Sequence, residues 1–272
     1  MLKQRLLTAI ILIPIVVWVL SLSTQTVAYV FMGIVVLGAW EWAGLCGGWI
    51  KRNLYAFVVA LVLLMLYWFW QQQLTSELYV LLLAGCLWWI LALYWVLRYQ
   101  QGQSLVPTSP FIKALLGFLI LLPAWMALLI LHKDYGWHWV VFLLVLIWAA
   151  DSGAYFAGRR WGSRKLADKI SPGKTWEGVA GALLMSLSVS LAYAFYQSMS
   201  LMAFFLFMLL CLLTVLASIL GDLLESLFKR QMNIKDSGQI LPGHGGILDR
   251  IDSLTSAAPI FVTGLILLQY FR

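Results

Sequence analysis

Apolar residues fill most of this chain in long continuous runs, and short polar stretches separate one run from the next. The runs do not alternate between polar and apolar residues, as the strands of a membrane barrel would. Backbone amides in hydrocarbon must be hydrogen-bonded within their own segment, so apolar runs of about 18 residues or more predict membrane-spanning helices. We predict an all-α, polytopic membrane protein with about nine transmembrane helices. The predicted spans lie near residues 6–22, 27–45, 54–70, 78–97, 115–131, 137–150, 176–197, 203–220 and 254–270.

The composition supports one membrane domain. Hydrophobic residues make up 63% of the chain and charged residues 11%, and the stretches between the predicted spans are too short to form a separate core. We expect a single integral-membrane domain over residues 1–272, and we interpret the run after Met1–Arg5 as a retained first helix, because no convincing cleavage site follows it. Cys46, Cys86 and Cys211 lie far apart in apolar surroundings, which predicts neither a disulfide framework nor a metal site.

Lys and Arg residues predict the orientation in the membrane, because cytoplasmic loops carry an excess of them. With the N-terminus in the cytoplasm, every basic residue except Lys133 and Arg272 falls on the cytoplasmic side. Both long polar loops then face the cytoplasm, where nucleoside triphosphates and Mg²⁺ occur. The net charge of +7 also fits contact with anionic lipid headgroups. Contact with lipid headgroups alone stays an open interpretation for four scattered basic residues, Lys51, Arg52, Arg98 and Lys113.

The first long loop, predicted over 151–175, combines glycines with basic residues. Glycines allow a ligand to approach closely, and the basic side chains suit phosphate oxygens. The trio Gly173-Lys174-Thr175 imitates the end of a P-loop. The first glycine of that motif would fall at Asp168, however, and no hydrophobic strand precedes it, which excludes a Walker site.

A helix is predicted to begin near the end of this loop. Ser171 precedes Pro172, a combination typical of an N-cap followed by proline in the first helical position. Lys174 and Glu177 would then lie one turn apart. The pattern also fits a capped helix entry with no function.

The second long loop is predicted to begin as a helix. Residues 221–231 continue the preceding span, with Asp222, Ser226 and Lys229 roughly on one polar face. We interpret Glu225 and Lys229, four residues apart, as a routine surface ion pair worth roughly a few tenths of a kcal/mol. Asp222 directly follows the span without an adjacent cation, so we expect it to meet a metal ion or a distant basic residue.

The end of the second loop holds a glycine-rich turn followed by acidic residues. The turn at Pro242–Gly246 presents amides that suit an oxyanion. Asp249 and Asp252 open the last span on one face, although carboxylates there would also complement the helix dipole. Asp151, Asp222 and Asp249 each lie near the end of a different predicted span. Carboxylates so placed suit Mg²⁺ bound with substrate phosphates, which predicts phosphoryl or nucleotidyl transfer.

The segment Ser226–Asp252 resembles the signature of the phosphatidate cytidylyltransferases, also called CDP-diacylglycerol synthases, of the bacterial inner-membrane type. The family pattern is Ser-x-x-Lys-Arg-x4-Lys-Asp-x5-Pro-Gly-His-Gly-Gly-x-x-Asp-Arg-x-Asp. Every fixed position is present, as Ser226, Lys229, Arg230, Lys235, Asp236, Pro242, Gly243, His244, Gly245, Gly246, Asp249, Arg250 and Asp252. The segments Asp151–Tyr155 and Ser171–Glu177 are similar to that family as well.

This resemblance implies an enzyme of phospholipid synthesis that condenses CTP with phosphatidic acid to give CDP-diacylglycerol and pyrophosphate. It implies a bacterial inner-membrane location with cytoplasmic active-site loops, dependence on Mg²⁺, K⁺ as a second cation, contact with membrane lipid, a homodimer and no nucleic-acid partner. It also implies variable N-terminal helices over residues 1–135 and a catalytic region over 136–272. By matching positions, Asp222 and Asp249 are the predicted metal ligands and, with Lys229 and Arg230, the predicted catalytic residues. The predicted substrate-binding residues are Asp151, Lys174, Ser226, Lys235, Asp236, His244, Gly245, Gly246, Arg250 and Asp252.

Two other functions stay open at this point. A CTP-dependent lipid kinase of the dolichol-kinase type would pass the γ-phosphate to an alcohol and release CDP. A transporter or anion channel is suggested by Glu41 within an apolar run and by the many glycines, but the internal repeats expected of transporters do not occur in the sequence. Glu41 lies between Trp40 and Trp42 near the cytoplasmic end of its span, so we interpret it as an interfacial anchor.

Overall fold

The computed structural model describes residues 14–48, 50–72, 75–103, 106–240 and 245–269, and most of them are helical. The helices are residues 14–20 (α1), Thr24–Cys46 (α2), Arg52–Gln71 (α3), Thr75–Gln100 (α4), Pro110–Ile130 (α5), Trp137–Trp161 (α6), Trp176–Tyr196 (α7), Leu201–Gln231 (α8) and Leu248–Gln269 (α9). Strands β1 (Lys165–Ala167) and β2 (Ser171–Thr175) form an antiparallel hairpin between α6 and α7. Within the described ranges, eight helices are long and apolar enough to cross a membrane. The prediction of an all-α polytopic membrane protein is confirmed.

The eight helices α2 to α9 correspond to eight of the predicted spans, but several extend further at their polar ends. Helix α6 runs on to Trp161, and α8 runs on to Gln231 as predicted. The first predicted span, 6–22, falls mostly outside the described residues, and its described part is helical over 14–20.

Helix α5 lies at the centre of the molecule. It is buried along its whole second half, from Ile120 to Ile130, and it packs against α2, α4 and α9. It then continues into a wider, π-type turn at Leu131–Tyr135. There the buried His132 donates from Nε2 to the Leu20 carbonyl oxygen at 2.8 Å. Large apolar side chains on the other spans, such as Leu87 and Phe195, are exposed, as expected of a surface that faces lipid.

Small residues bring helices α6 and α7, and helices α8 and α9, close together. A side chain at Gly153 on α6 would collide with the Gly181 carbonyl group on α7. One at Gly221 on α8 would collide with Ser256 and with the backbone of α9. Small residues allow helix backbones in membranes to approach closely. The consequence here is that α6, α7, α8 and α9 hold their polar ends near one another.

The first long loop is shorter than predicted, and two predictions about it are wrong. Asp151 lies inside α6, between two and three turns before its end, because α6 continues to Trp161 against α7. Ser171 is not a helix N-cap, since Ser171–Thr175 form β2. Thr175 caps α7 instead, and its Oγ1 accepts the Gly178 N–H at 3.1 Å. Lys174 therefore projects from a strand, and its spacing to Glu177 is not that of one helical turn.

The polar ends of the helices are joined by hydrogen bonds at one end of the bundle. Arg230 on α8 donates from Nε to the Ile170 carbonyl oxygen in the hairpin at 3.1 Å. Lys113 on α5 donates from Nζ to the Leu45 carbonyl oxygen on α2 at 3.3 Å. Lys113 is only 4% exposed, so its interpretation as a residue facing lipid headgroups is wrong. Its charge instead stabilises the C-terminal end of α2.

Candidate active site

A cavity of about 310 Å³ lies where α6, α7, α8 and β2 meet. Its polar lining comes from Asp151 on α6, Lys174 on β2, Asp222 on α8 and Ser253 on α9. Its apolar lining includes Ala150, Val179, Ala182 and Ile219. The cavity thus combines charged groups with the apolar flanks of spanning helices.

An ion pair between β2 and α8 forms part of the charged lining of this cavity. Lys174 Nζ lies 2.7 Å from Asp222 Oδ2, with side chains 24% and 35% exposed. Asp222 Oδ1 also accepts a hydrogen bond from Ser226 Oγ at 3.3 Å. The distant basic residue expected for Asp222 is therefore Lys174, which is 48 positions away in the sequence.

Asp151 belongs to the same charged group. It lies within electrostatic range of Asp222, Lys174 and Arg250. Asp252 on α9 is also within range of Asp222 and Lys174, and its Oδ1 accepts the Ser253 N–H at 2.7 Å. Three predicted substrate-binding residues from separate elements, Asp151 on α6, Lys174 on β2 and Asp252 on α9, are thus assembled around Asp222.

A second, more buried charged cluster lies at the facing ends of α8 and α9. Lys229 Nζ lies 2.6 Å from Asp249 Oδ1 and 3.1 Å from Glu225 Oε1. Asp249 Oδ2 accepts the backbone N–H groups of Ser237 at 3.0 Å and Gly246 at 2.8 Å. Glu225 is 4% exposed, so its interpretation as part of a surface ion pair is wrong. The sequence spacing correctly paired Glu225 with Lys229, but it could not show that α9 covers these two side chains.

The remaining predicted residues lie around these two clusters. Arg230 and Arg250 are exposed at the ends of α8 and α9, and Lys235 and Asp236 are exposed in the segment between them. Gly245 has a φ of +79° and lies against Asp249, which favours glycine at that position. Residues 241–244, and with them His244, lie outside the described residues.

The donor atoms allow a test of the predicted Mg²⁺ site. Asp222 and Asp151 offer hard carboxylate oxygens in the cavity, which is the chemistry Mg²⁺ prefers. Asp249 is directed to Lys229 and to two backbone amides. In the part of the chain that the structure describes, no three His, Cys, Asp or Glu side chains are grouped as metal ligands. To bind Mg²⁺, Asp222 would have to leave the partly exposed Lys174 and Asp249 the buried Lys229, and the pair as metal ligands stays a prediction.

Two functional contacts were missed in the sequence. Glu177 holds the residues just before β1. Its carboxylate accepts the backbone N–H groups of Ser163 and Arg164 at 3.1 and 3.2 Å, and it pairs with the Arg164 side chain at 3.1 Å.

Glu41 is fully buried, and its carboxylate accepts hydrogen bonds from Leu248 and Ser237. Its interpretation as an interfacial anchor is therefore wrong. A carboxylate in an apolar run was the available signal for Glu41. No sequence signal identified the contacts of Glu177.

Comparison with known proteins shows the family of this chain. The chain matches the model of the cytidylyltransferase family over residues 3–268. It is 44% identical to a phosphatidate cytidylyltransferase of Pseudomonas aeruginosa, with 96% of each chain covered. It is 39% identical to a phosphatidate cytidylyltransferase of Haemophilus influenzae, covering 96% of this chain and 97% of that protein. The family resemblance inferred from Ser226–Asp252 is confirmed. With its charged cavity at the ends of membrane-spanning helices, this chain belongs to the cytidylyltransferase family.

Proposed function

We propose that this protein transfers the cytidylyl group of CTP to phosphatidic acid and so forms CDP-diacylglycerol and pyrophosphate. The observation that carries this proposal is the Lys174–Asp222 pair, set in a cavity that is also lined by apolar flanks of spanning helices. Such a cavity can hold a charged phosphate headgroup while acyl chains remain in hydrocarbon. The names of the relatives from Pseudomonas aeruginosa and Haemophilus influenzae support the same reaction.

The reaction requires alignment more than proton removal. A phosphatidate oxygen is already charged, and it forms a new bond to the α-phosphorus of CTP while the bond from that phosphorus to pyrophosphate breaks. The protein contributes by holding the two anionic substrates together and by stabilising charge on the leaving pyrophosphate. Lys174 and Arg250, both within range of Asp151, are placed to bind phosphate oxygens.

The partly exposed ion pair is suited to an exchange of partners. Lys174 and Asp222 are both open to the cavity, so a substrate phosphate can replace the carboxylate beside Lys174 at low cost. Asp222 then has an oxygen free for a cation. Arg230 and Lys235, both exposed beyond α8, are placed to bind phosphates from the water side.

We assign Mg²⁺ to Asp222, with Asp151 beside it, and K⁺ as a second cation. A divalent ion there would neutralise phosphate charge and polarise the α-phosphoryl group. The proposed location is the bacterial inner membrane, with the charged helix ends on the cytoplasmic side because Lys and Arg concentrate there. A homodimer, and the absence of a nucleic-acid partner, stay predictions.

Isotope position in CTP distinguishes this reaction from the lipid-kinase alternative. Purified protein would be incubated with phosphatidate, Mg²⁺ and CTP labelled at either the α- or the γ-phosphorus. We expect α-label in the lipid, γ-label in pyrophosphate, and neither product when diacylglycerol replaces phosphatidate. Transfer of γ-label to lipid would contradict the proposal, and so would a lack of phosphatidate-dependent pyrophosphate release. The family match favours nucleotidyl transfer over the kinase and transporter interpretations.

A further inference from the structure

Glu41 is the buried carboxylate that links the N-terminal helices to the segment carrying the signature glycines. It lies near the C-terminal end of α2 and has no exposed surface. Its Oε2 accepts the Leu248 backbone N–H at 2.7 Å and the Ser237 hydroxyl at 3.1 Å. Ser237 lies in the segment between α8 and α9, and Leu248 is the first residue of α9. One carboxylate oxygen therefore joins the two described parts of a loop, residues 237–240 and 245–248.

The loop is built closely around this carboxylate. A side chain at Gly238 would collide with Glu41 Oε1, and one at Gly246 would collide with Oε2 and with Ser237. Glycine permits such a close approach of backbone to a polar group. The ion pairs of the described residues involve other acids, so hydrogen bonds from the loop, and not a cation, hold Glu41. Burying a carboxylate costs free energy unless hydrogen bonds or a cation compensate it, and among the described residues only Oε2 of Glu41 accepts hydrogen bonds.

The same loop also positions Asp249. Ser237 and Gly246 each donate a backbone N–H to Asp249 Oδ2, while Ser237 and Leu248 donate to Glu41. The loop backbone is therefore held between two carboxylates, one from α2 and one from α9. Asp249 in turn holds Lys229 at 2.6 Å. A continuous set of contacts runs from α2 through the loop to the buried charged cluster.

For the cytidylyl transfer proposed above, on which this role depends, we propose that Glu41 is a positioning residue that fixes the loop and thereby Asp249 and Lys229. Glu41 does not line the cavity, so it acts through the loop and not on the substrates. Helix α2 is then part of the working catalytic unit. The reacting groups of 136–272 take their geometry from α2.

Three substitutions of Glu41 separate geometry from charge. Glu41→Gln keeps the length and one acceptor oxygen, so kcat should stay within about threefold of the parent protein. Glu41→Asp keeps the charge but is one methylene shorter and cannot reach Leu248, so kcat should fall about tenfold. Glu41→Ala should lower kcat further. KM for CTP and for phosphatidate should change little in all three. A higher kcat for Glu41→Asp than for Glu41→Gln would overturn the positioning role.

Lys113→Met is the matched control. Lys113 is also buried and also contacts the end of α2, through Leu45. Its contact with Met232 Sδ at 4.0 Å lies directly after α8, outside residues 237–248. Its loss should lower thermal stability while kcat stays near the parent value. A loss of kcat as large as that of Glu41→Ala would mean that packing at the end of α2, and not the loop contact, controls turnover.

A nitroxide label provides a readout that does not depend on activity. It would be attached at Gln239→Cys, an exposed loop position, with Cys46, Cys86 and Cys211 replaced by alanine. Mobility should rise in Glu41→Ala and remain at the parent level in Glu41→Gln and Lys113→Met. An immobile label in Glu41→Ala would overturn the inference. If the parent protein released no pyrophosphate from CTP and phosphatidate, the proposed function would fail, while the label would still decide whether Glu41 holds the loop.

Discussion

Lys174 and Lys229 lie at the same end of the helix bundle, but they pair with carboxylates in different environments. The Lys174–Asp222 side chains are 24% and 35% exposed, whereas those of Lys229 and Asp249 are 11% and 7% exposed. Exposed pairs are worth about 0–1 kcal/mol, whereas breaking a buried pair costs about 3–5 kcal/mol. We therefore expect Lys174 to exchange its partner for a substrate phosphate during turnover. Lys229 should stay with Asp249 and maintain the site.

Lys174→Met tests the first of these roles. It removes the cation in the cavity, so we expect kcat/KM to fall by about 10²- to 10³-fold, as for loss of one group that stabilises transition-state charge. The matched control is Lys169→Met, which removes the same charge from an exposed position of the same hairpin connection. It should retain nearly full activity. Equal losses in the two variants would show that net charge, and not the position of Lys174, matters.

Asp249→Asn tests the buried cluster. It removes the anion that Lys229 contacts at 2.6 Å and weakens the acceptor of two loop amides. We expect loss of nearly all turnover, at least about 100-fold, in protein that still folds in detergent. Glu225→Gln leaves the Lys229–Asp249 contact in place, so its loss should be less than about tenfold. Steady-state rates and thermal melting of both variants provide the comparison, and an active Asp249→Asn protein would remove Asp249 from the mechanism.

At the level of elements, the hairpin between α6 and α7 decides where Lys174 lies. Thr175 caps α7 at one end of β2, and Glu177 holds the residues before β1 through their backbone N–H groups. Both ends of the hairpin are therefore fixed to the first turn of α7. The short strands themselves contribute little, because a two-stranded hairpin is only marginally stable on its own.

Glu177→Ala should release the hairpin and misplace Lys174. We expect kcat/KM to fall about tenfold or more, since a small misplacement of a reacting group is costly. Thermal stability should change little, because the Arg164 side chain of the ion pair is 78% exposed. Arg164→Met is the control: it removes the side-chain pair but keeps both backbone bonds to Glu177. An activity loss in Arg164→Met equal to that of Glu177→Ala would contradict a backbone-held hairpin.

For the whole molecule, the main consequence is that two charged clusters are built from helix ends at one end of the bundle. Contacts from α2, α5, α8 and α9 and from the hairpin converge there. The molecule can therefore keep its site at a single membrane surface while the flanks of the helices remain in lipid. Orientation then decides whether CTP can reach the site.

Cysteine labelling in oriented vesicles tests the orientation. Lys169→Cys lies at the exposed hairpin and Gln197→Cys at the exposed connection between α7 and α8, so the two positions should lie on opposite sides of the membrane. In inside-out vesicles, a membrane-impermeant maleimide should label Lys169→Cys and leave Gln197→Cys unlabelled. Right-side-out vesicles should give the reverse. Labelling of Lys169→Cys from the periplasmic side would contradict the predicted topology.

The sequence alone determined the fold class, the approximate spans and the family. Apolar runs of sufficient length can only be helices in hydrocarbon, and the closely spaced pattern Ser226–Asp252 is specific because its fixed residues are all local in the chain. The extension of α8 to Gln231 followed from the same local pattern.

Only the tertiary structure decided which charges meet. Lys174 with Asp222, Glu177 with the residues before β1, and Glu41 with Leu248 are contacts between distant parts of the chain. Sequence spacing cannot show them, because each depends on how the helices pack. Burial likewise changed the roles of Glu225, Lys113 and Glu41. Whether a carboxylate or an ammonium group faces water or protein is set by its neighbours in space, and its energy depends on that setting far more than on its position in the chain.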